Sequence, residues 1–387
     1  VWADQVFMKK INFKGLTAIG FSEIIGTSAT ALFWFFLASI IPPDQYGEIF
    51  FYLGIASIAS SAVLFANKNT IIVYISKNIQ LQNTLYIISL SGTFVASLVV
   101  MIIFFRIDIG FVLVAYVFNS LALGELLGKK SFSLHSKNVL LQKFLVVILG
   151  VSFFYIFGVD GILYAIALSY SSYAILVFKS LKMTPLNFSL LKQHIGFVSN
   201  NYSVGLLQIT KSQIDKLIIP TILSFSILGH YALALQIMTA MNLFSNIIFK
   251  FILPYDASGE PNTRIKFLTI IISVIISILG ISLTPIVLPI LFPQYIDAIL
   301  AIQIMSITVI PTSITFIFTS QFLGMEKSRY VMLSKFCSMI VISVGMIILG
   351  SLYGIQGLAI SYLVANSVDA ILLFLLSKYE KSKSKHS

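Results

Sequence analysis

The chain has 387 residues, of which 58% are hydrophobic and 10% are charged, and its formal net charge is +11. Soluble globular domains carry about 25% charged residues, so this composition excludes a soluble globular protein, and it also excludes a disordered chain. The single cysteine, Cys337, excludes a disulfide-stabilised scaffold. The composition indicates a basic, all-α polytopic membrane protein.

The number of spans follows from the continuous apolar runs. A membrane helix needs about 20 mostly apolar residues, and these runs lack the alternation of a barrel strand. The sequence predicts twelve transmembrane helices, at about 16–41, 48–66, 84–105, 108–128, 139–157, 161–178, 204–223, 228–252, 267–292, 297–320, 331–350 and 355–377.

Basic residues predict the orientation of these helices. If the N-terminus is cytoplasmic, 22 of the 25 basic residues fall in segments on that side, including Lys143 and Lys335. The opposite face then has only Arg106, and Lys211 and Lys216 lie inside the seventh helix. Because cytoplasmic loops carry an excess of Lys and Arg, both termini are predicted to be cytoplasmic.

The two halves of the chain end in similar sequences. Residues 157–161 (FGVDG) and 353–357 (YGIQG) are 196 positions apart. Six helices return a chain to its starting side, so two such halves share one orientation. This predicts a six-helix lobe at 1–185 and another at 186–387, related by a pseudo-twofold axis along the membrane normal. Parallel repeats of this kind occur in transporters that bind substrate between the repeats.

Ionisable residues inside predicted spans are candidates for function, because each costs about 2.5–3.5 kcal/mol to insert. They are Glu23, Glu125, Lys211, Asp215, Lys216 and Asp369.

The seventh predicted helix has one polar stripe, formed by Gln208, Lys211, Ser212 and Asp215 at three- and four-residue spacing. Lys211 and Asp215 can pair along it. Lys216 lies about 100° further round the helix, so it is predicted to remain available for an anion. The alternative is a purely structural pair, with Lys216 reaching towards the lipid headgroups.

The carboxylates have different predicted roles. Glu23 and Asp369 are candidate proton or cation sites, although a neighbouring hydroxyl or lysine would equally explain a buried carboxyl. Glu125 lies beside Lys129 and Lys130, and a solvated ion pair at a helix end is predicted there.

Several kinds of chemistry have no motif in the sequence. The four histidines are scattered and form no Cys/His cluster, so no metal site is expected. There is no Walker motif, so no nucleotide cofactor is expected, and the predicted outer loops are too short for an enzyme active site. The basic cytoplasmic loops need no nucleic-acid partner, because topology and anionic membrane lipids account for them.

Three segments carry a family resemblance. They are 42–50 (PPDQYGEIF), 213–220 (QIDKLIIP) followed by LGHYA at 228–232, and 285–292 (PIVLPILF) followed by Tyr295 and Ala298. Their order and spacing resemble the multidrug/oligosaccharidyl-lipid/polysaccharide exporter superfamily over essentially the whole chain. The length and the twelve helices look most like the Wzx-type O-antigen flippases of that superfamily.

This resemblance implies a flippase of the bacterial inner membrane. The family moves undecaprenyl-pyrophosphate-linked oligosaccharide from the cytoplasmic to the periplasmic leaflet by alternating access, for O-antigen, lipopolysaccharide or similar polysaccharide. It also implies a coupling ion (proton or sodium), contact with membrane lipids, and polysaccharide polymerase and chain-length regulator proteins as partners.

The resemblance also suggests roles for individual residues. Lys68 and Lys216 stand where many relatives have a basic residue, and with Lys211 and Gln208 they are the expected substrate-binding residues. The expected ion-coupling residues are Glu23, Asp215 and Asp369.

Two rival functions stay open, a drug/cation antiporter of the same superfamily and a membrane polysaccharide polymerase. The lipid II flippases are also similar, but they usually have fourteen helices and several cavity arginines. The three arginines of this chain all lie outside the deep part of a predicted helix, which argues against lipid II as the substrate.

Overall fold

A computed structural model describes residues 13–65, 68–181, 186–257, 263–325 and 327–386. Within these ranges the chain forms helices and no strand, so the predicted all-α class is confirmed. The α-helices are α1 (Phe13–Ile40), α2 (Pro43–Val63), α3 (Lys68–Ser76), α4 (Gln82–Phe104), α5 (Ile107–Gly128), α6 (Phe132–Phe157), α7 (Gly161–Ser169), α8 (Ser171–Ser180), α9 (Phe188–Ile222), α10 (Phe225–Met241), α11 (Leu243–Ala257), α12 (Thr263–Leu291), α13 (Ile299–Ser306), α14 (Val309–Gly324) and α15 (Ser328–His386). Short 3-10 turns occupy Gly158–Asp160 and Pro293–Ala298.

The lengths of these helices agree with twelve spans. In the described ranges, eight segments are long and apolar enough to cross a membrane, or nine with the bent pair α10–α11. Two of them, Phe132–Ser180 and Ser328–Glu380, have 49 and 53 residues, enough for two spans each. The helix α9 is not among these apolar segments, but its 35 residues are long enough for the twelfth span that the sequence predicts. The chain is a multi-pass membrane protein.

The glycines that divide the two long segments have matching geometry. Gly158 (φ 68°, ψ −152°) and Gly354 (φ 57°, ψ −134°) both adopt a backbone conformation that favours glycine. Three residues later, a Cβ on Gly161 would lie 2.5 Å from the carbonyl oxygen of Phe153, and a Cβ on Gly357 would lie 2.9 Å from the amide nitrogen of Gly350. The repeat at an offset of 196 residues is therefore visible in the backbone as well as in the sequence.

Three helices differ from their predicted extent. The helix α6 begins at Phe132 instead of 139 and α9 begins at Phe188 instead of 204, while the short helix α3 was not predicted at all. Hydropathy locates the apolar part of a span, whereas the helical hydrogen bonds continue into the polar residues beside it. One consequence is that Lys143, predicted to be cytoplasmic, lies well inside α6.

The chain divides into two compact units. The first contains Val1–Phe33 and Tyr52–Gln213, and the second contains Trp34–Phe51 and Ile214–Ser387. The second unit thus combines the end of α1 and the start of α2 with the C-terminal helices. The division into lobes at 1–185 and 186–387 stays a prediction.

In the second unit, α2 and α10 cross with their backbones in contact at two glycines. A Cβ on Gly47 would meet the carbonyl of Phe225 and would lie 2.7 Å from the amide nitrogen of Gly229. A Cβ on Gly229 would meet the carbonyl of Pro43 and would lie 2.6 Å from its carbon. The contact is reciprocal. Phe225, which faces Gly47, lies four residues before Gly229, and Pro43, which faces Gly229, lies four residues before Gly47.

Aromatic side chains surround this crossing. The buried rings of Tyr46 and Tyr295 meet edge to face at 5.9 Å, and His230 stacks at 5.4 Å from Tyr295. The Tyr46 hydroxyl donates to the carbonyl of Trp34, and the Tyr295 hydroxyl donates to the carbonyl of Ile41, each at 3.3 Å. The segments at 42–50, 228–232 and Tyr295, which carry the family resemblance, therefore pack together here.

Candidate functional site

A polar cavity of about 530 Å³ lies within the first unit. Its lining offers hydroxyl, phenol and amide groups and a single charged side chain, that of Lys68. The lining residues are Ser57, Ser60, Ser61, Leu64, Lys68, Asn69, Tyr116, Asn119, Ser120, Tyr170, Gly205, Gln208 and Ile209.

Helical spacing explains why these residues meet. On α2, Ser57, Ser60 and Ser61 lie three and four residues apart, which places them on one face, and Leu64 follows directly after the helix. The same spacing occurs in Tyr116, Asn119 and Ser120 of α5 and in Gly205, Gln208 and Ile209 of α9. Polar side chains in membrane helices usually face a partner or a water-filled space. The three polar faces therefore create a hydrophilic compartment among apolar spans.

Lys68 makes this cavity favourable for an anion. It is the first residue of α3, where the helix dipole is also positive. The lining residues include no Asp or Glu. Sequence reasoning picked out Lys68 and Gln208, and the structure brings both to the cavity wall.

The rest of the stripe on α9 lies outside this lining. Gln208 is on the wall, whereas Lys211, one turn later, is not among the lining residues. The hydroxyl of Ser212 donates to the carbonyl of Ile209 at 2.9 Å, so it is used within the helix. Of the predicted stripe, only Gln208 is part of the cavity.

Lys216 is paired, contrary to the prediction that it remains available for an anion. Its Nζ lies 3.7 Å from Oδ1 of Asp215, and both side chains are largely buried. The two residues are adjacent in α9, and their flexible side chains close the angle of about 100° between them. This pair occupies the second unit.

Asp369 in α15 has a cationic partner. Lys335 Nζ lies 2.5 Å from Oδ2 of Asp369, whose side chain is only 4% exposed. The other oxygen, Oδ1, has no hydrogen-bond partner among the described residues. Lys335, predicted to be a cytoplasmic residue, thus neutralises a carboxylate within the same helical segment. An ion-coupling role for Asp369 stays a prediction.

The third predicted coupling residue, Glu23, lies in α1, and its side chain falls outside the described part of the chain. Near it in the sequence, Gly26 faces the aliphatic stem of Lys143, whose Cγ would lie 2.9 Å from a Cβ at Gly26. Sequence reasoning counted Lys143 with the cytoplasmic residues, because the predicted span 139–157 placed it only four residues from the start of its helix, whereas α6 begins at Phe132.

The predicted ion pair of Glu125 with Lys129 is present, but Glu125 is buried, so the prediction that the pair is solvated is wrong for the carboxylate. Its side chain receives hydrogen bonds from Lys129 (2.5 Å), Ser180 (2.5 Å) and Tyr86 (3.1 Å). These donors tie α4, α5 and α8 together. A similar bond occurs in the second half, where Ser377 donates to Gln321 at 3.5 Å; Gln321 is 196 residues after Glu125, whereas Ser377 is 197 residues after Ser180.

Arg106, between α4 and α5, connects several segments of the first unit. It donates to Asp108 at 2.7 Å and to Asp160 at 2.9 Å, and its guanidinium lies 4.9 Å from the centre of the Tyr52 ring. Hydrogen bonding to Asp108 raises the pKa of the guanidinium further above its ordinary value. The cluster is structural, because it lies at the ends of the helices away from the cavity residues.

Solved structures with the same fold are membrane transporters. The chain matches an inward-facing multidrug resistance MATE-family transporter of the MOP superfamily with a TM-score of 0.72 and 15% identity, over 94% of this chain and 95% of that chain. It matches the lipid II flippase MurJ in an inward closed conformation with a TM-score of 0.73 and 12% identity, over 95% of this chain and 88% of that chain. It matches an outward-facing multidrug resistance MATE-family transporter with a TM-score of 0.65 and 16% identity, over 97% of both chains.

The chain has the fold of MOP-superfamily transporters. The predicted fold class is confirmed, including the arrangement of about twelve helices in two lobes. No protein-family model and no curated protein matches the chain. At 12–16% identity, the similarity extends to the fold alone, so function has to be argued from the site.

Within this MOP fold, the polar cavity can bind and hydrate a ligand through its hydroxyl, amide and ammonium groups. In the described residues there is no group of three or more His, Cys, Asp or Glu that could hold a metal ion. The arrangement is therefore suited to binding a polar or anionic group.

Proposed function

We propose that the protein is a transporter that moves a lipid-linked oligosaccharide across the bacterial inner membrane. The substrate is an undecaprenyl-pyrophosphate-linked repeat unit of O-antigen or a similar polysaccharide, carried from the cytoplasmic to the periplasmic leaflet by alternating access. Both termini are cytoplasmic in this proposal. The observation that carries it is the polar cavity that Lys68 and Gln208 line inside a membrane-spanning unit.

A hydrophilic compartment solves the physical problem of this substrate. A glycan and a pyrophosphate cannot cross about 30 Å of hydrocarbon unaided, because each polar group without a hydrogen bond is costly there. The cavity offers serine, asparagine and glutamine side chains as replacement partners for sugar hydroxyls. Its volume falls in the range of about 300–1,000 Å³ that small-molecule sites occupy.

Three lysines have different roles in binding the anionic part of the substrate. Lys68 attracts the pyrophosphate within the cavity, where the lining contains no carboxylate. Lys211 lies one turn beyond Gln208 on α9 and extends the positive region. Lys216 is paired with Asp215, so its contribution requires that this pair opens during transport.

Coupling to a proton or a sodium ion is assigned to Glu23, Asp215 and Asp369. Asp215 and Asp369 each form an ion pair with a lysine, so protonation or cation binding would have to compete with that lysine. The unpartnered Oδ1 of Asp369 offers an acceptor for such a cation. A polysaccharide polymerase and a chain-length regulator would act on the product downstream.

The cavity favours this substrate over the cation of a drug antiporter. A cationic drug needs a carboxylate in an apolar or aromatic pocket, whereas this lining is hydroxyl- and amide-rich and its charged group is a lysine. A polymerase is disfavoured because the predicted outer loops are too short for an enzyme active site.

The test is deletion in the native host and complementation with single variants, followed by analysis of undecaprenyl-linked intermediates. We expect complete repeat units to accumulate after deletion. Lys68→Ala should fail to clear them, whereas Lys77→Ala, which changes the exposed lysine after the other end of α3, should clear them. Unchanged lipid pools after deletion would contradict the proposal.

A further inference from the structure

An apolar groove of about 390 Å³ lies in the same unit as the polar cavity. The helices α5, α6, α7 and α8 line it, with Phe111 and Tyr164 in ring contact at 6.2 Å. Alanines at 115, 167 and 174 leave the space open. Phe111, Tyr164 and Leu168 are exposed, and they belong to membrane-spanning segments. The groove therefore opens towards the hydrocarbon of the bilayer.

Tyr170 lines both the groove and the polar cavity. It stands at the break between α7 and α8, where its amide bonds to the carbonyl of Ala167 in a tight turn. Its ring meets Tyr116, another residue of the cavity, edge to face at 5.7 Å. A tyrosine has an apolar ring and a polar hydroxyl, so it suits a boundary between the two environments.

We propose that this groove holds the hydrocarbon chain of the lipid-linked substrate while the glycan and phosphate occupy the polar cavity. The inference rests on the proposed function and adds a second subsite to it. The substrate crosses from one environment to the other beside Tyr170.

The chemistry of an amphiphile explains why the two spaces should be adjacent. The chain cannot follow the head into a hydrophilic cavity, because each CH2 group moved out of an apolar environment is costly. The head cannot leave the cavity into lipid for the converse reason. A transporter of such a molecule therefore needs a polar and an apolar compartment that share a wall, and Tyr170 provides this wall.

A photocrosslinking experiment on the full-length protein in lipid nanodiscs tests the groove. The probe is undecaprenyl pyrophosphate with a photoreactive diazirine in its chain. Label is expected on peptides containing Phe111, Tyr164 or Leu168, with competition by unlabelled undecaprenyl pyrophosphate and none by phosphatidylglycerol. Ala167→Phe fills the groove and should lower this labelling about tenfold or more. The control Ala96→Phe, on α4 and at a similar partial exposure, should leave it unchanged.

A second measurement separates this inference from the proposed function. The second probe is a pyrophosphate-linked glycan on a chain of only two isoprene units. Its binding reports on the polar cavity, and Ala167→Phe should not change it. If wild-type protein fails to bind this short-chain compound, the proposed function is wrong. If the short-chain compound binds, but labelling spreads over the whole lipid-facing surface or phosphatidylglycerol competes, the groove holds bulk lipid and the inference is overturned.

Discussion

Gly47→Ala should destabilise the second unit through the helix crossing. The new methyl group would meet the carbonyl of Phe225 and would lie 2.7 Å from the amide nitrogen of Gly229. Non-bonded carbon contacts have their optimum at about 3.5–4.0 Å. Both obstacles are main-chain groups, so no side-chain rotation removes the clash. The helices α2 and α10 must therefore move apart by roughly 1 Å.

The expected cost follows from overpacking. Inserting a methyl group into a packed contact typically costs about 1–3 kcal/mol, and replacing glycine by alanine within a helix returns about 0.5–1 kcal/mol. Because both obstacles are main-chain groups, the upper part of the first range applies, about 2–3 kcal/mol, and the net loss is about 1–2 kcal/mol. For a domain of 150–250 residues this corresponds to a fall of about 2–8 °C in melting temperature.

The assay is thermal unfolding of the purified protein in detergent, with Gly196→Ala as the control. Gly196 also lies within a helix, but a Cβ there would have no neighbour within 4 Å, so this variant should be at least as stable as the wild type. Gly229→Ala should resemble Gly47→Ala. The double variant should lose less stability than the sum of the two single-variant losses, because one separation of the helices relieves both clashes. An unchanged melting temperature for Gly47→Ala would refute the reasoning.

Two ion pairs give further predictions. Arg106→Ala leaves Asp108, which is 4% exposed, without its cation. Breaking a fully buried pair costs about 3–5 kcal/mol, and because Arg106 is 25% exposed we expect about 2 kcal/mol, measured as a fall in melting temperature. The comparison variant is Asp160→Asn, which changes an exposed carboxylate. If Arg106→Ala lowers the melting temperature no more than Asp160→Asn does, burial of Asp108 is unimportant. Lys335→Ala should likewise destabilise, and adding Asp369→Asn should restore most of the loss, since no unpaired charge then remains. A double variant as unstable as the single one would contradict this pairing.

The sequence predicts the spans well because hydrophobicity governs insertion. The central parts of the helices follow directly from apolar runs of about 20 residues. Their ends do not, as α6 and α9 illustrate, because helical hydrogen bonding continues into polar segments that hydropathy cannot assign. For this reason Lys143 was predicted to lie near the start of its helix, although α6 begins eleven residues before it.

The site was predictable only where charge marked it. Lys68 and Gln208 were found because a lysine and a polar stripe stand out in an apolar chain. The serines of α2 and the Tyr116, Asn119 and Ser120 face of α5 were missed, although their three- and four-residue spacing was present in the sequence. Neutral polar residues serve equally as hydrogen bonds between helices, so spacing within one helix cannot show that three such faces meet.

The partners of the charged side chains were the feature that the sequence predicted least well. Asp215 pairs with its neighbour Lys216, and Glu125 is buried among donors from three helices. The side chains of Lys129, Ser180 and Tyr86 come together only through tertiary packing. The segments that carry the family resemblance are explained by packing too, since Gly47 and Gly229 permit a backbone contact that any Cβ would prevent.

The most direct test of the account is transbilayer movement of substrate by the purified protein in liposomes. The probe is a fluorescent undecaprenyl-pyrophosphate-linked glycan, and a membrane-impermeant quencher reports the fraction in the outer leaflet. We expect the wild type and Lys77→Ala to move the probe, and we expect Lys68→Ala to be slower by about tenfold or more, because it removes the cation from the cavity wall. Equal rates for Lys68→Ala and the wild type, or no movement by the wild-type protein, would contradict the central claim.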